Sequence, residues 1–144
     1  MDYILGLFVV SITGIILFSA IQSGRYGASK LSEKAILGIQ TDKKIIALTF
    51  DDGPNPPFTA HILELLTCYN AKATFFVIGQ NAQKHPDLVR EAYQRGNEIG
   101  NHSWDHSQLI FRSPGFITNQ IKSTDEVIRN TGYQGNVYFR APYG

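Results

Sequence analysis

Two clusters of polar side chains, about fifty residues apart, carry residue types that could bind a metal ion and hydrolyse a bond. The first cluster places Asp51 and Asp52 side by side at the end of an apolar run, directly before Gly53. The second holds His102 and His106, whose spacing can place two imidazoles on one face of a helical turn. One carboxylate and two imidazoles would give a zinc-like ion three protein ligands and leave room for water, as in catalytic sites. The other aspartate would then be free to act as a base.

The pattern along the chain predicts alternating strands and helices. Strands are predicted at 45–50, 73–78, 98–100 and 137–139. Helices are predicted from Thr59, which could cap the first turn, over 87–95 with Gly96 as the stop, and over 117–128 before Gly132. Repeated strand–helix–strand units imply an α/β fold with a parallel sheet, open or closed into a barrel.

The predicted strands bring three polar positions together. In parallel α/β folds the active sites lie at the carboxyl ends of the strands. Asp51 and Asp52, His102 and Arg140 each follow a predicted strand closely. Each position also has a structural alternative: a plain turn for the aspartates, solvent-facing imidazoles at a helix start, and a surface ion pair for Arg140. Their joint placement at three strand ends favours a functional site.

Three stretches of sequence resemble the first three motifs of the polysaccharide deacetylases, carbohydrate esterase family four, which share the NodB homology domain. They are Thr49-Phe50-Asp51-Asp52-Gly53-Pro54, His102-Ser103-Trp104-Asp105-His106 and Arg140-Ala141-Pro142-Tyr143-Gly144. The resemblance covers residues 45–144 and implies a distorted (β/α) barrel that holds a divalent metal ion, with zinc as the expected ion. It also implies hydrolysis of N-acetyl groups on amino-sugar polysaccharides, either peptidoglycan or chitin-like glycans.

The resemblance also implies a role for each site residue. Asp51 would be the general base. Asp52, His102 and His106 would be the metal ligands. Arg140 would orient Asp51, and the backbone amide of Tyr143 would help to hold the oxyanion. The remaining histidines, His61 and His85, are predicted to be structural or solvent-facing, and Trp104 is predicted to pack rather than to stack on a sugar.

The family pattern continues, beyond the position of Gly144, with an aspartate–tryptophan motif and a leucine-x-histidine motif that supplies the expected general acid. Neither motif has a counterpart in this sequence. About four β/α units are predicted, whereas a complete (β/α) barrel has seven or eight. We therefore expect residues 43–144 to form a partial, truncated deacetylase domain that binds metal with little or no turnover. The alternatives are a non-catalytic glycan- or metal-binding module and a metal-dependent hydrolase of another acetylated substrate.

Composition supports a folded domain and argues against a nucleic-acid partner. The chain has 144 residues, of which 43% are hydrophobic and 12% aromatic, so it can bury a core. The net charge is +1 and the basic residues are scattered, so no nucleic acid is expected to bind. Cys68 is the single cysteine, which excludes an intramolecular disulfide, and it is predicted to be a small core residue.

The N-terminal residues 3–21 form an uncharged, mostly apolar run of about the length that spans a bilayer. Residues 1–22 are therefore predicted to be a transmembrane helix that anchors the protein, with a signal-like segment or a buried helix as alternatives. Residues 23–42 are predicted to be a linker. Basic residues after the run favour a cytoplasmic domain. A cell-wall substrate lies outside the membrane, however, so we expect a single-pass membrane protein with an extracytoplasmic domain.

Overall fold

The computed structural model describes residues 38–143, and its helices and strands lie within the unit Ile45–Gly144. In chain order they are β1 (Thr49–Gly53), α1 (Phe58–Cys68), β2 (Thr74–Val77), α2 (Gly79–Lys84), α3 (Pro86–Gln94), β3 (Glu98–Asn101) and α4 (Pro114–Asn130). The strands form a parallel sheet in the order β1-β2-β3. The predicted α/β fold with a parallel sheet is confirmed.

The core lies on one face of this sheet. Phe75 in the central strand pairs with Phe50 in β1 and with Ile99 in β3, and the rings of Phe50 and Phe75 stack with their centroids 5.3 Å apart. Side chains alternate along a strand, so Phe75 and Val77 share this face. Apolar side chains of the helices cover it, namely Leu63 and Leu66 of α1, Ala82 of α2, Val89 and Ala92 of α3, and Ile128 of α4.

The first strand begins later than its apolar sequence predicts. β1 starts at Thr49, whereas the prediction was 45–50, and Ile46 is 91% exposed. Its partner β2 begins at Thr74, whose amide donates to the Leu48 carbonyl (3.0 Å), so the ladder has nothing to pair with further upstream. The ladder also continues to Gly53, which pairs with Val77, so Asp51 and Asp52 lie within β1 and not on a turn that follows it.

The fourth predicted strand, 137–139, is reduced to a single bridge. Phe139 pairs in parallel with Asn101. The Asn101 amide donates to the Tyr138 carbonyl (2.8 Å), and the Arg140 amide donates to the Asn101 carbonyl (2.9 Å). Within the described residues the structure thus has three strands and this bridge, where about four β/α units were predicted. The bridge nevertheless holds Arg140 beside the end of β3.

The predicted helices are present, but the predicted cap of α1 and the predicted burial of Cys68 are wrong. The cap position of α1 is Pro57, and the Thr59 hydroxyl instead accepts a hydrogen bond from the Asn55 amide (2.8 Å). Cys68 is exposed at the end of α1, because it falls outside the buried stripe of that helix. The predicted stop of α3 is present, since Gly96 has a φ of +83°. The short helix α2 was not predicted, because its sequence is mostly polar and lacks helical periodicity.

The predicted transmembrane helix over residues 1–22 lies outside the described residues. Among residues 38–143, no helix has both the length and the apolar character needed to cross a bilayer.

Gly79, at the start of α2, is a position where the fold has no room for a side chain. A Cβ atom there would lie 2.5 Å from Thr124 Oγ1 and 2.5 Å from Trp104 Cε3. We expect Gly79→Ala to lower the free energy of unfolding by about 1–3 kcal/mol, because an overpacked core must shift its neighbours. Urea denaturation measures this difference. Gly115→Ala is the control, since a Cβ at Gly115 meets no atom within 4 Å. Equal unfolding midpoints for the two variants would contradict the prediction.

Candidate metal centre

A bulge in β1 separates the two neighbouring aspartates. The register between β1 and β2 shifts between Phe50 and Gly53, and Asp52 has a left-handed backbone with φ of 67°. Aspartate tolerates this conformation better than most residues. Bulges re-aim side chains, and here the two carboxylates have different neighbours. Asp51 contacts Arg140, whereas Asp52 contacts two histidines.

The segment from His102 to His106 is a loop and not the helical turn that the spacing allows. Ser103 (φ 68°) and His106 (φ 59°) both have a left-handed backbone, which folds the loop back on itself. The Ser103 hydroxyl accepts a hydrogen bond from the His106 amide (3.1 Å). The two imidazole rings end with their centroids 5.0 Å apart. The loop therefore brings the two rings together without a helix.

Two buried side-chain amides hold this loop, and neither was predicted from the sequence. Asn101 Oδ1 accepts a hydrogen bond from the Ser103 amide (2.8 Å). Gln120 Oε1 accepts from the amides of Trp104 (2.8 Å) and Asp105 (3.2 Å). Gln120 is only 6% exposed. A glutamine on the otherwise apolar stripe of a predicted helix is the signal that could have identified it.

Three side chains converge at the carboxyl ends of β1 and β3. Asp52 Oδ1 lies 3.5 Å from His102 Nε2 and 3.3 Å from His106 Nε2. One ligand atom from each residue falls within 4.8 Å of the others. His102 is 4% exposed, whereas 65% of the Asp52 side chain is exposed. This cluster can hold a divalent metal ion and leaves its outer side open to water and substrate.

The hydrogen bonding of His102 fits this interpretation. Its Nδ1 lies 2.8 Å from the Arg140 carbonyl oxygen. A carbonyl oxygen only accepts, so Nδ1 carries the proton and a neutral His102 presents the lone pair of Nε2 to the cluster. A backbone carbonyl behind the ring is the usual way to orient a metal-binding histidine. The donor set and its support therefore fit a bound metal ion.

The second carboxylate, Asp51, stands outside the ligand cluster. Arg140 Nη1 donates to Asp51 Oδ1 (2.5 Å) and to Thr49 Oγ1 (3.0 Å). The Arg140 amide also donates to the Asn101 carbonyl (2.9 Å), so the backbone of Arg140 and its Nη1 nitrogen are both held. A carboxylate held beside a metal cluster without being a ligand can accept a proton from water.

The other residues that the sequence singled out are placed as follows. Tyr143 is 74% exposed, has a φ of 64°, and its ring centroid lies 4.8 Å from that of His106. The role of its amide stays a prediction. Trp104 is half-buried, and its ring would clash with a side chain at Gly79, as expected of a packing residue. His61 is exposed on α1.

Asp105, between the two histidines, is held by hydrogen bonds with Ser107 and Gln120. Partial burial alone would raise the pKa of Asp105, but hydrogen bonds from Ser107 and Gln120 outweigh it and hold the pKa below its usual value. The Ser107 amide donates to Asp105 Oδ1 at 2.9 Å. The same hydrogen bonds therefore favour the ionised form of Asp105.

Asn101 links the loop, the sheet and α4, so its loss is expected to affect both stability and metal binding. Its Nδ2 donates to the Ile121 carbonyl (2.9 Å) and to Asp125 Oδ1 (2.7 Å). Asn101→Ala leaves the amide of fully buried Ser103 without this acceptor. We expect a loss of about 3 kcal/mol in the free energy of unfolding and of roughly ten-fold in zinc affinity.

Asn97→Ala is the matched control for this prediction. Asn97 is also buried, accepts from the Ala73 amide and donates to the Ala92 carbonyl, but it lies just before β3, at the opposite end of that strand. It should lower stability alone. Urea unfolding and zinc titration of both variants make the comparison, and equal zinc affinities for the two would count against a role of Asn101 in holding the loop.

Known proteins with related sequences and structures match this part of the chain. The family model for polysaccharide deacetylases matches residues 38–144. The peptidoglycan-N-acetylglucosamine deacetylase PgdA of Listeria monocytogenes is 41% identical over 121 residues, which cover 83% of this chain and 26% of that protein. The solved structure of the peptidoglycan deacetylase PdaC from Bacillus subtilis superposes with a TM-score of 0.68 at 43% identity, covering 74% of this chain and 52% of that one.

A third similar structure is a mutant of BA3943, described as a CE4 family pseudoenzyme with restored enzymatic activity. It has a TM-score of 0.68 at 30% identity and covers 73% of this chain and 39% of that one. This chain thus spans between about a quarter and about a half of the relatives it matches. The match to the family model extends over all three motifs that first suggested it, and the chain belongs to the polysaccharide deacetylase family.

Proposed function

We propose that this chain carries the metal centre and the base of a zinc-dependent polysaccharide deacetylase, which hydrolyses N-acetyl groups of amino-sugar chains in peptidoglycan or chitin-like glycans. The observation that carries the proposal is the separation of the two aspartates. Asp52 faces His102 and His106, whereas Asp51 is paired with Arg140. An acetamide is a poor electrophile, so its hydrolysis needs both a metal ion and a base that is not a ligand.

Zinc is the ion that best suits this donor set. Two imidazole nitrogens and one carboxylate oxygen form a common catalytic zinc site with an open position. A site built for magnesium or calcium would offer mainly oxygen atoms. The cluster offers one oxygen ligand, from Asp52, and two nitrogen ligands.

The proposed mechanism assigns a task to each residue. Asp52, His102 and His106 would hold the ion. When bound, the ion supplies Lewis-acid polarisation of the acetamide carbonyl and makes water more acidic. Asp51 accepts the proton of the attacking water, while Arg140 fixes the orientation of this carboxylate through its 2.5 Å contact. The backbone amide of Tyr143 would donate to the oxyanion of the tetrahedral intermediate. The leaving amine would take its proton from the general acid of the leucine-x-histidine motif, which has no counterpart in this sequence.

The relatives support the substrate class. PgdA and PdaC are named as peptidoglycan deacetylases, and a glycan chain needs an open site. More than a third of the Asp51 side chain and most of the Asp52 side chain are exposed. The net charge of +1 gives no general attraction to a polyanion such as nucleic acid.

A second candidate function is glycan or metal binding without hydrolysis. One observation favours it: the BA3943 protein is described as a pseudoenzyme of this family, so the fold can occur without activity. The two functions are separated by Asp51→Asn. Glycan binding that survives this substitution, in a protein that releases no acetate before or after it, would indicate a binding module.

The location follows from the substrate. We propose that residues 3–21 anchor the protein in the cell membrane and that the deacetylase domain lies on its outer face, where cell-wall glycans are found. A carboxyl-terminal reporter that is active only outside the cytoplasm tests this orientation. Activity of a cytoplasmic reporter at the same position would reject it.

The direct test is acetate release from an N-acetylglucosamine oligomer. The assay uses the full chain and a chimera in which residues 45–144 replace the corresponding segment of PdaC, whose chain is about twice as long as the matched segment. We expect zinc-dependent acetate release by the chimera and little by the chain alone. A chimera that folds and binds zinc but releases no acetate, beside an active parent protein, would reject the proposed function.

A further inference from the structure

The side chain of Phe76 lies directly beneath Arg140. The guanidinium carbon of Arg140 is 3.9 Å from the centroid of the Phe76 ring. This is well within the range at which an aromatic face attracts a cation. Phe76 is 8% exposed, so its ring contacts the guanidinium from the buried side, while 38% of the Arg140 side chain remains exposed.

The ring of Phe76 is on the opposite face of the sheet from the core. Phe75 and Val77 belong to the apolar cluster beneath the helices. Because successive side chains of a strand alternate, Phe76 points the other way. This is the face over which Arg140 lies, because Arg140 also contacts Thr49, the register partner of Thr74. The burial of Phe76 is therefore not explained by the apolar core alone.

Gly100 gives the ring its position. Gly100 is the register partner of Phe76 in β3, and a Cβ atom on it would lie 2.5 Å from Phe76 Cδ1 and 3.1 Å from the Tyr138 carbonyl oxygen. The absence of a side chain lets the ring lie over the strand, between β3 and the Arg140 segment. Here a glycine is required by a close approach and not by its backbone angles.

We propose that Phe76 is a positioning residue that holds the guanidinium of Arg140 in place to orient Asp51. The ring contacts the guanidinium at 3.9 Å, while Asp51 and Thr49 both accept from Nη1. Both of these acceptors hold the same nitrogen, so they leave the guanidinium free to swing about Nη1, and the ring removes this freedom. The assignment rests on the proposed function only in that positioning matters for catalysis if Asp51 is the base.

The test measures the position of Arg140 without using turnover. Phenylglyoxal modifies accessible arginines, and peptide mapping by mass spectrometry gives the rate at each site. Arg90 is the internal reference, because it is 41% exposed and ion-paired with Asp87, whereas Arg140 is 38% exposed and ion-paired with Asp51. The measured quantity is the ratio of the Arg140 rate to the Arg90 rate in the full chain.

We expect Phe76→Leu to raise this ratio by about five-fold, and Phe75→Leu to change it by less than about two-fold, since only Phe76 makes the cation–π contact. Both variants lose one ring from the same strand, so a loosening of the sheet near Arg140 that does not depend on the cation–π contact would raise both ratios. An unchanged ratio in Phe76→Leu would show that Asp51 and Thr49 suffice and would overturn the proposal.

A measurement on the unmodified chain covers the case in which Phe76→Leu does not fold. A ring 3.9 Å from the guanidinium carbon shifts the Arg140 side-chain N–H resonances upfield relative to those of Arg90. Unshifted Arg140 resonances would overturn the proposal. The two proposals can fail separately. If the ratio rises in Phe76→Leu but the PdaC chimera releases no acetate, the deacetylase function is rejected and the positioning of Arg140 by Phe76 still stands.

Discussion

Replacing His102 by alanine is expected to abolish zinc binding by this chain. The substitution removes one of three side chains whose ligand atoms meet within 4.8 Å. Catalytic zinc sites rely on three protein ligands, and the loss of even an outer partner of a ligand costs 10- to 100-fold in affinity. We therefore expect the affinity for zinc to fall by at least about 100-fold.

Isothermal titration calorimetry of the full chain with zinc measures this effect. His61→Ala is the matched control, since His61 is exposed on α1 and lies outside the cluster. His102 is buried and contacts the Arg140 carbonyl, so circular dichroism of the metal-free variant must show that it still folds. Zinc affinity retained by a folded His102→Ala variant would mean that the ion binds elsewhere.

The α/β class could be predicted because it depends on the alternation of strand-like and helix-like segments. This alternation is still recognisable when the ends of single segments are misplaced. The predicted strands 73–78 and 98–100 nearly coincide with β2 and β3, because signals for turns and helix ends bound both of them in the sequence. The start of β1 was misplaced, because apolarity marks a candidate strand but pairing decides where the ladder begins. Ile45 and Ile46 are as apolar as any strand residue, yet both are exposed.

The members of the site were predictable, whereas the means of bringing them together were not. The types and spacing of Asp51, Asp52, His102 and His106 are visible in the sequence, and the side chains of the three residues predicted to bind metal do meet. The bulge at Asp52 and the left-handed residues of the histidine loop depend on tertiary contacts. A spacing of four residues suggested a helical turn, and the protein uses a loop held by Asn101 and Gln120 instead.

Asp51→Asn is expected to remove catalysis and leave the metal site intact. Asp51 is outside the ligand cluster, and its neighbour is Arg140 at 2.5 Å. Asparagine has nearly the same shape and can still accept the hydrogen bond from Arg140, but it cannot take a proton from water. General-base catalysis contributes about 10²- to 10⁴-fold. In the PdaC chimera we therefore expect kcat to fall by about 10³-fold.

Asp52→Asn is the matched partner of that variant, because it makes the same chemical change one residue further along β1. It replaces a ligand, so zinc affinity should fall together with acetate release. Asp51→Asn should instead keep zinc affinity within about three-fold, because an amide in place of a carboxylate outside the cluster removes no ligand. If both variants lost zinc affinity equally, Asp51 would be a ligand, and a different residue would have to act as the base.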